Sequence, residues 1–174
     1  MRKILLLSDT HGYIDEAILR YAEGCDEIWH GGDIGTTEVS DALEQKKLFR
    51  AVHGNIDGQE IRIRYPKINR FVCEGMDILM IHIAGKPDTY TAEVKQILQY
   101  RPPQVLVCGH SHILMVKRSE RYGCMHLNPG AAGKHGFHHV RTMLRFVIDK
   151  GRMSNMEVIE LGPRAELKST KTVG

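Results

Sequence analysis

Seven side chains able to grip a metal ion share one local setting in this chain. Asp9 and His11, Asp33, Asn55, His82, and His110 with His112 each come directly after a short apolar run. Asp9-Thr10-His11 and His110-Ser111-His112 place two donors on the same side of an extended segment, because side chains alternate along it. The donors are carboxylates, imidazoles and one amide oxygen, with no thiolate. That set favours Mn²⁺, Fe²⁺, Co²⁺, Ni²⁺ or Zn²⁺ over Ca²⁺ or a sulfur-bound zinc. Seven donors oversupply one tetrahedral ion, whereas two ions about 3.5 to 4 Å apart that share Asp33 use them all. Two divalent cations against two carboxylates leave an excess of positive charge suited to an anionic phosphoryl group. Taken singly, Asp-x-His, Gly-Asp and Gly-Asn are common turn sequences, and only Gly-His-Ser-His carries weight alone. The signal is the ordered set.

Such a set meets only if the elements before it share an edge. Lys3 to Ser8 is a continuous apolar run of the kind found in a strand buried on both faces. Helical spacing follows at Ile14, Ala17, Ile18 and Tyr21, ended by Gly24. Glu27 to His30 then reads as a strand, Thr37 to Lys47 as a polar-faced helix and Leu48 to Val52 as a third strand. This alternation predicts right-handed βαβ units and a parallel sheet, whose carboxyl ends present their loops to one cleft. Beyond residue 60 an antiparallel part is expected, with a hairpin at Glu74-Gly75-Met76-Asp77 between Arg70–Cys73 and Ile78–Ile81. A helix from Thr91 to Tyr100 stops before Pro102-Pro103 and leads into the strand Gln104 to Cys108. Strands at Met115–Ser119, Cys124–Leu127, Thr142–Ile148 and Met156–Leu161 complete the count. We read residues 1–162 as one domain and 163–174 as a polar, frayed tail.

The 174 residues suit a single domain with a real core. A formal charge of +3 falls short of the concentrated basicity of a nucleic-acid binder, and no apolar run approaches a membrane span. With no signal-peptide pattern at the start, a cytoplasmic protein is expected. Cys25, Cys73, Cys108 and Cys124 are widely spread without a CxxC pair, and read as small buried hydrophobes in a reducing compartment.

At these residues the sequence resembles the calcineurin-like metallophosphoesterases, whose pattern runs Asp-x-His, Gly-Asp, Gly-Asn, His, Gly-His-x-His. Here it stands as Asp9-Thr10-His11, Gly32-Asp33, Gly54-Asn55, His82 and Gly109-His110-Ser111-His112. Chain length, the start Lys3 to Gly12 and Asn128-Pro129-Gly130 are similar to the small bacterial and archaeal phosphodiesterase branch, over roughly residues 1 to 150. The resemblance implies a four-layer αββα sandwich of two mixed sheets with the site at the sheet edge. It implies one ion on Asp9, His11, Asp33 and His112, and a second on Asp33, Asn55, His82 and His110. It also implies in-line attack on phosphorus by a bridging hydroxide, with Asn55, His82 and His110 closest to the chemistry. Mn²⁺ is the metal expected first, with Fe²⁺, Ni²⁺, Co²⁺ and Zn²⁺ as alternatives.

Two departures from the pattern shape the expected reaction. Many relatives carry His directly after the Gly-Asn asparagine, where this chain has Ile56 and then Asp57. A diester with a stable leaving group, or a proton from water, fits that change better than a monoester. Ile83-Ala84-Gly85 replaces a His-Gly-His pattern after His82, which leaves the first ligand in place.

His53 and Asp57 are candidates for contact with substrate, although Asp57-Gly58 also reads as a turn. Arg62, Arg64, Lys67 and Arg70 read as a patch that steers anionic substrates or, in preference, as a solvated strand face, and the Lys134 to His139 segment as a loop that lines the approach or lies free. His30 and His126 read as structural. The expected partner is a small phosphoester, with nucleic acid a less favoured substrate, no membrane and a homo-oligomer open. The alternative is a protein-interaction scaffold, as in a eukaryotic trafficking-complex subunit that resembles this fold.

Overall fold

The computed structural model describes residues 1–165. Its first half runs β1 (Arg2–Leu7), α1 (Glu16–Glu23), β2 (Glu27–His30), α2 (Thr37–Glu44), β3 (Leu48–Ala51), α3 (Gln59–Arg64), β4 (Ile68–Cys73) and β5 (Met76–Ile81). After a small hairpin, β6 (Gly85–Lys86) and β7 (Thr89–Tyr90), come α4 (Ala92–Tyr100) and β8 (Val105–Val107). The chain closes with β9 (Leu114–Arg118), β10 (Met125–Pro129), β11 (Val140–Asp149) and β12 (Arg152–Pro163).

These strands make two five-stranded mixed sheets, ordered β12-β11-β1-β2-β3 and β4-β5-β8-β10-β9. Within the first sheet β1, β2 and β3 are parallel, as the βαβ reading requires. Three apolar layers hold the sandwich together. Leu5, Leu7 and Ile28 pack with Ile18, Val39 and Leu43 between the first sheet and its helices. Alternate residues of the same strands, Ile4, Leu6 and Trp29, face the second sheet through Ile78, Met80, Val105 and Val107. Leu79, Ile81 and Leu106 then meet Val94 and Leu98 of α4. The sequence of β1 is unbroken in apolar residues because each of its faces lines a different core.

Local chemistry sets the element ends. Asp15 accepts the N–H of Ile18 at 3.0 Å and starts α1, while the Thr91 hydroxyl caps α4 by accepting the N–H of Val94. Glu74 and Gly75 both take positive φ, 48° and 82°, the two-residue turn whose twist suits a tight hairpin between β4 and β5.

Some expectations need correction. The region after residue 60 is mixed rather than antiparallel, since β5, β8 and β10 run parallel. Arg62 and Arg64 lie on the helix α3, not on a strand. The alternation Ile61-Arg62-Ile63-Arg64 mimics a strand, yet only Ile61 is buried, and Glu60 in the first turn with two arginines in the last suits the helix dipole. α2 ends at Glu44, short of Lys47. β12 continues through Gly162 and Pro163, which pair with Arg141 and Val140, so the ordered strand crosses the expected tail boundary. The rest of that tail, 166–174, lies outside the described residues. All four cysteines are buried and free. Among the described residues no helix is long and apolar enough to cross a membrane.

Candidate metal centre

The seven candidate donors sit on loops at the carboxyl ends of five strands. Asp9 and His11 follow β1, Asp33 follows β2 and Asn55 follows β3, all in the first sheet. His82 follows β5, and His110 and His112 follow β8, in the second. Because the two sheets are stacked, both loop sets overhang the same end of the sandwich.

Their donor atoms converge in two groups, Asp9 with His11 and His112, and Asp33 with His82 and His110, each with ligand atoms within 4.8 Å of one another. In the first group Asp9 Oδ1 lies 3.1 Å from His112 Nε2 and 3.9 Å from His11 Nε2. In the second, Asn55 Oδ1 lies 3.2 Å from His82 Nε2 and 3.0 Å from His110 Nδ1. Asp33 stands between the groups, its Oδ2 3.2 Å from His82 Nε2 and 3.6 Å from His11 Nε2.

The backbone is bent to achieve this. Asp9, His11, Asp33, His110 and His112 have φ of 53°, 47°, 54°, 67° and 58°, in the left-handed region that non-glycine residues rarely enter. Such strain costs on the order of 1 kcal/mol or more per residue and persists where surrounding contacts hold it, often at functional sites. Two glycines allow the crowding. A Cβ on Gly54 would lie 2.0 Å from Asp33 Oδ1, and one on Gly109 would lie 2.1 Å from Ser8 Oγ.

A surrounding set of hydrogen bonds aims the donors. Asp9 Oδ2 accepts from the Ser8 hydroxyl and from the His110 N–H, while Asp33 Oδ1 accepts the Ile56 N–H. His82 Nδ1 is 2.8 Å from the Gly31 carbonyl, which can only accept, so Nδ1 carries a proton and Nε2, facing Asp33 and Asn55, is the ring atom left to serve as a ligand. Buried Asn128 donates to the Gly109 carbonyl and the Ser111 hydroxyl, and holds the loop bearing both His110 and His112.

Two atoms test whether the site fits cations. Asp9 Oδ1 and His11 Nε2 are buried with no hydrogen-bond partner, which is costly unless a ligand satisfies them. Charge points the same way. Burial pushes His82 down, yet the hydrogen bond its ring donates to Asp33 and the nearby Asp9 outweigh it and hold the imidazole above its ordinary value. Burial also pushes Asp33 up, but His82, the Ile56 N–H and His11 bring it below the usual carboxylate range. His11 is lowered by burial despite both carboxylates. The donor set therefore fits divalent cations in place of these protons.

The other sequence candidates divide. His53 borders the cavity beside Asn55 and His82, with its Nδ1 donating to the Gly54 carbonyl. Asp57 borders neither that cavity nor the cleft at His11 and His112. It is buried, and its carboxylate accepts the N–H groups of Ile34, Gly35 and Gly54, so its oxygens are occupied in tying loops together. His30 and His126 are buried and border neither the cavity beside Asn55 nor the cleft, although His30 lies under the centre, its Nδ1 accepting the Gly32 N–H and its Nε2 3.0 Å from the Thr10 hydroxyl. The segment after Lys134 does line the cleft: the His135 ring lies 4.9 Å from that of His11, and His138 lies 5.2 Å from His112. Reading the residues singly missed the roles of Ser8 and Asn128. Asn128 had a signal, its place at the end of a strand next to Pro129-Gly130.

Comparison with known proteins gives a consistent picture. A family model described as the calcineurin-like phosphoesterase superfamily domain matches residues 2–151. A curated relative, a probable metallophosphoesterase of Mycoplasma pneumoniae, is 34% identical over 140 residues, covering 75% of this chain and 79% of the relative. Wild-type Vps29 of Entamoeba histolytica, solved in complex with zinc, superposes with a TM-score of 0.69 at 17% identity, over 94% of this chain and 99% of that one. An archaeal phosphodiesterase superposes with a TM-score of 0.65 at 17% identity, over 90% of this chain and 99% of that one. At such identities the structural likeness is one of fold.

Proposed function

The chain belongs to the calcineurin-like phosphoesterase superfamily, and on that premise we propose that it is a metal-dependent phosphodiesterase with a dinuclear centre. Asp9, His11, Asp33 and His112 would hold one cation, and Asp33, Asn55, His82 and His110 the other, with Mn²⁺ the metal expected first. Two such cations supply Lewis acidity toward phosphoryl oxygens and lower the pKa of water at neutral pH.

The observation that carries the diester reading is the position of Asn55. It borders two cavities, of about 460 Å³ and about 520 Å³, so the centre is open to a substituent in each. A monoester needs one such space and a diester two. Ile56 supports the same reading, because this apolar side chain beside Asn55 donates no proton to a leaving group. The chain's own groups would then bind and orient: Asn55 and His110 border both the candidate ligands and the larger cavity, which Ser111 and His135 also line.

A second reading, a protein-interaction scaffold, draws on the fold likeness to Vps29 and on exposed Ile63, Val72 and Tyr100. Nucleic acid as substrate finds less support, since among the described residues Phe137 alone of the Phe, Tyr and Trp side chains lines the cleft. The deciding experiment strips metal from the protein and assays bis-p-nitrophenyl phosphate before and after Mn²⁺ is restored. Turnover should return with metal and be lost in Asp33→Asn. If no phosphoester is turned over with any of the five metals, and a partner is captured equally well by Asp33→Asn, the scaffold reading replaces this one.

A further inference from the structure

The larger cavity at Asn55 carries an apolar rim that ion binding does not use. Ile56 is 47% exposed, Ile113 56% and Phe137 99%, and all three line this one cavity. Exposed apolar side chains are ordinary when scattered; three around one polar cleft, from three separate loops, call for an occupant. All three have anchored backbones, the Ile113 N–H donating to the Ser111 hydroxyl at 3.3 Å. The Ile56 N–H is bonded to Asp33 Oδ1 at 3.1 Å. Phe137 follows Gly136, whose backbone is so close to His112 that a Cβ there would lie 2.2 Å from its Nδ1. The smaller cavity also has apolar lining, from Ile81 and Ile83, but it adds a charge. Arg62 lines it, bonded to the carbonyl oxygens of Asp57, Gly54 and Asn55, and among the described residues no carboxylate pairs with its charge.

Resting on the phosphodiesterase reading, we propose that Ile56, Ile113 and Phe137 seat an aromatic ester substituent while the other substituent lies toward Arg62. The substrate class is then an unsymmetrical phosphodiester with one ring-bearing group and one polar group. A flat ring laid across three aliphatic and aromatic side chains loses its contact with water, whereas a methyl group in the same place covers little of the rim. Discrimination between the two should therefore reside in binding.

The test uses full-length protein and the double variant Phe137→Ala with Ile113→Ala. Phe137 is 99% exposed, so its truncation leaves the cores intact. One measurement is binding of phenylphosphonate and of methylphosphonate to Zn²⁺-loaded protein, followed by NMR shifts. The native protein should bind the phenyl compound about tenfold more tightly, and the variant should bind both alike. The other measurement is hydrolysis of methyl p-nitrophenyl phosphate with Mn²⁺. Its KM should rise about tenfold in the variant, with kcat changed less than about threefold. Hydrolysis without any ring preference, or a preference untouched by the double replacement, overturns the seat and leaves the phosphodiesterase reading standing. Ring preference that the variant loses, in a protein that hydrolyses nothing, upholds the seat and overturns the phosphodiesterase reading. Equal or absent binding of the two phosphonates by the native protein, with loss of a captured protein partner in the variant, overturns the seat in favour of a docking surface.

Discussion

The buried carboxylate of Asp57 holds the backbone N–H of Gly35 at 2.7 Å, which ties the loop carrying Asp33 to the loop carrying Asn55. The same carboxylate accepts the N–H of Gly54 at 2.7 Å and that of Ile34 at 3.2 Å. Asp57→Ala would leave three donors without their acceptor, and should cost about 3 kcal/mol in urea unfolding. Asp57→Asn keeps the shape and one acceptor, so its loss should be roughly half as large. Zinc affinity measured on the folded variants should fall about 10- to 100-fold, as for other groups that orient ligands indirectly.

Metal content should appear directly in thermal stability. Asp9 Oδ1 and His11 Nε2 are buried without partners until a cation satisfies them. Divalent ion at a hundredfold excess over its Kd should add about 3 kcal/mol. For a chain of this size that raises Tm by roughly 8 °C. Calorimetric scans with Mn²⁺ or Zn²⁺ and with chelator would measure it. Identical scans in both conditions would count against the centre.

Replacing Ile56 by His should change reaction preference more than stability, because the side chain is half exposed on the rim of the cleft. An imidazole there can donate to a leaving oxygen. The ratio of p-nitrophenyl phosphate to bis-p-nitrophenyl phosphate turnover should rise by about 10²-fold. An unchanged ratio would mean that leaving-group protonation does not pass through this position.

Acid should weaken the fold through a histidine outside the cleft. His126 is buried, with Nε2 3.4 Å from Cys108 Sγ and Nδ1 without a partner. Burial pushes it down to about 4 from an ordinary 6.5. The unfolded chain therefore binds the proton more readily, so the contribution is fully present above pH 6.5 and is lost as pH falls toward 4. The total approaches about 3 kcal/mol. His30 is likewise lowered by burial and acts in the same direction. Urea unfolding of His126→Leu between pH 7 and 4 should show a shallower pH slope than the native protein.

What could be read without coordinates was whatever a short pattern encodes. The apolar runs before Asp9, Asp33, Asn55, His82 and His110 located five strand ends, and strand ends share an edge in this kind of sheet. α3 stayed hidden because Ile61 to Arg64 alternate with the period of a strand, and the buried side of one short helix turn leaves little trace. Asp57 was ambiguous for a different reason. Its partners, Ile34 and Gly35, lie on another loop, and a contact between distant N–H groups and a carboxylate has no local signature. Strain was equally invisible: nothing in the letters Asp9 or His112 announces a left-handed φ.

Each of the two donor groups draws on both sheets, Asp9 and His11 meeting His112 across the seam, and Asp33 meeting His82 and His110. An ion in either place would act as a rivet between halves of the sandwich that otherwise adhere through greasy side chains and a few hydrogen bonds, such as that of Thr142 to the Pro129 carbonyl. Bound metal thus becomes a gauge of assembly. A chain whose halves had closed out of alignment would carry none, however complete each half looked by itself.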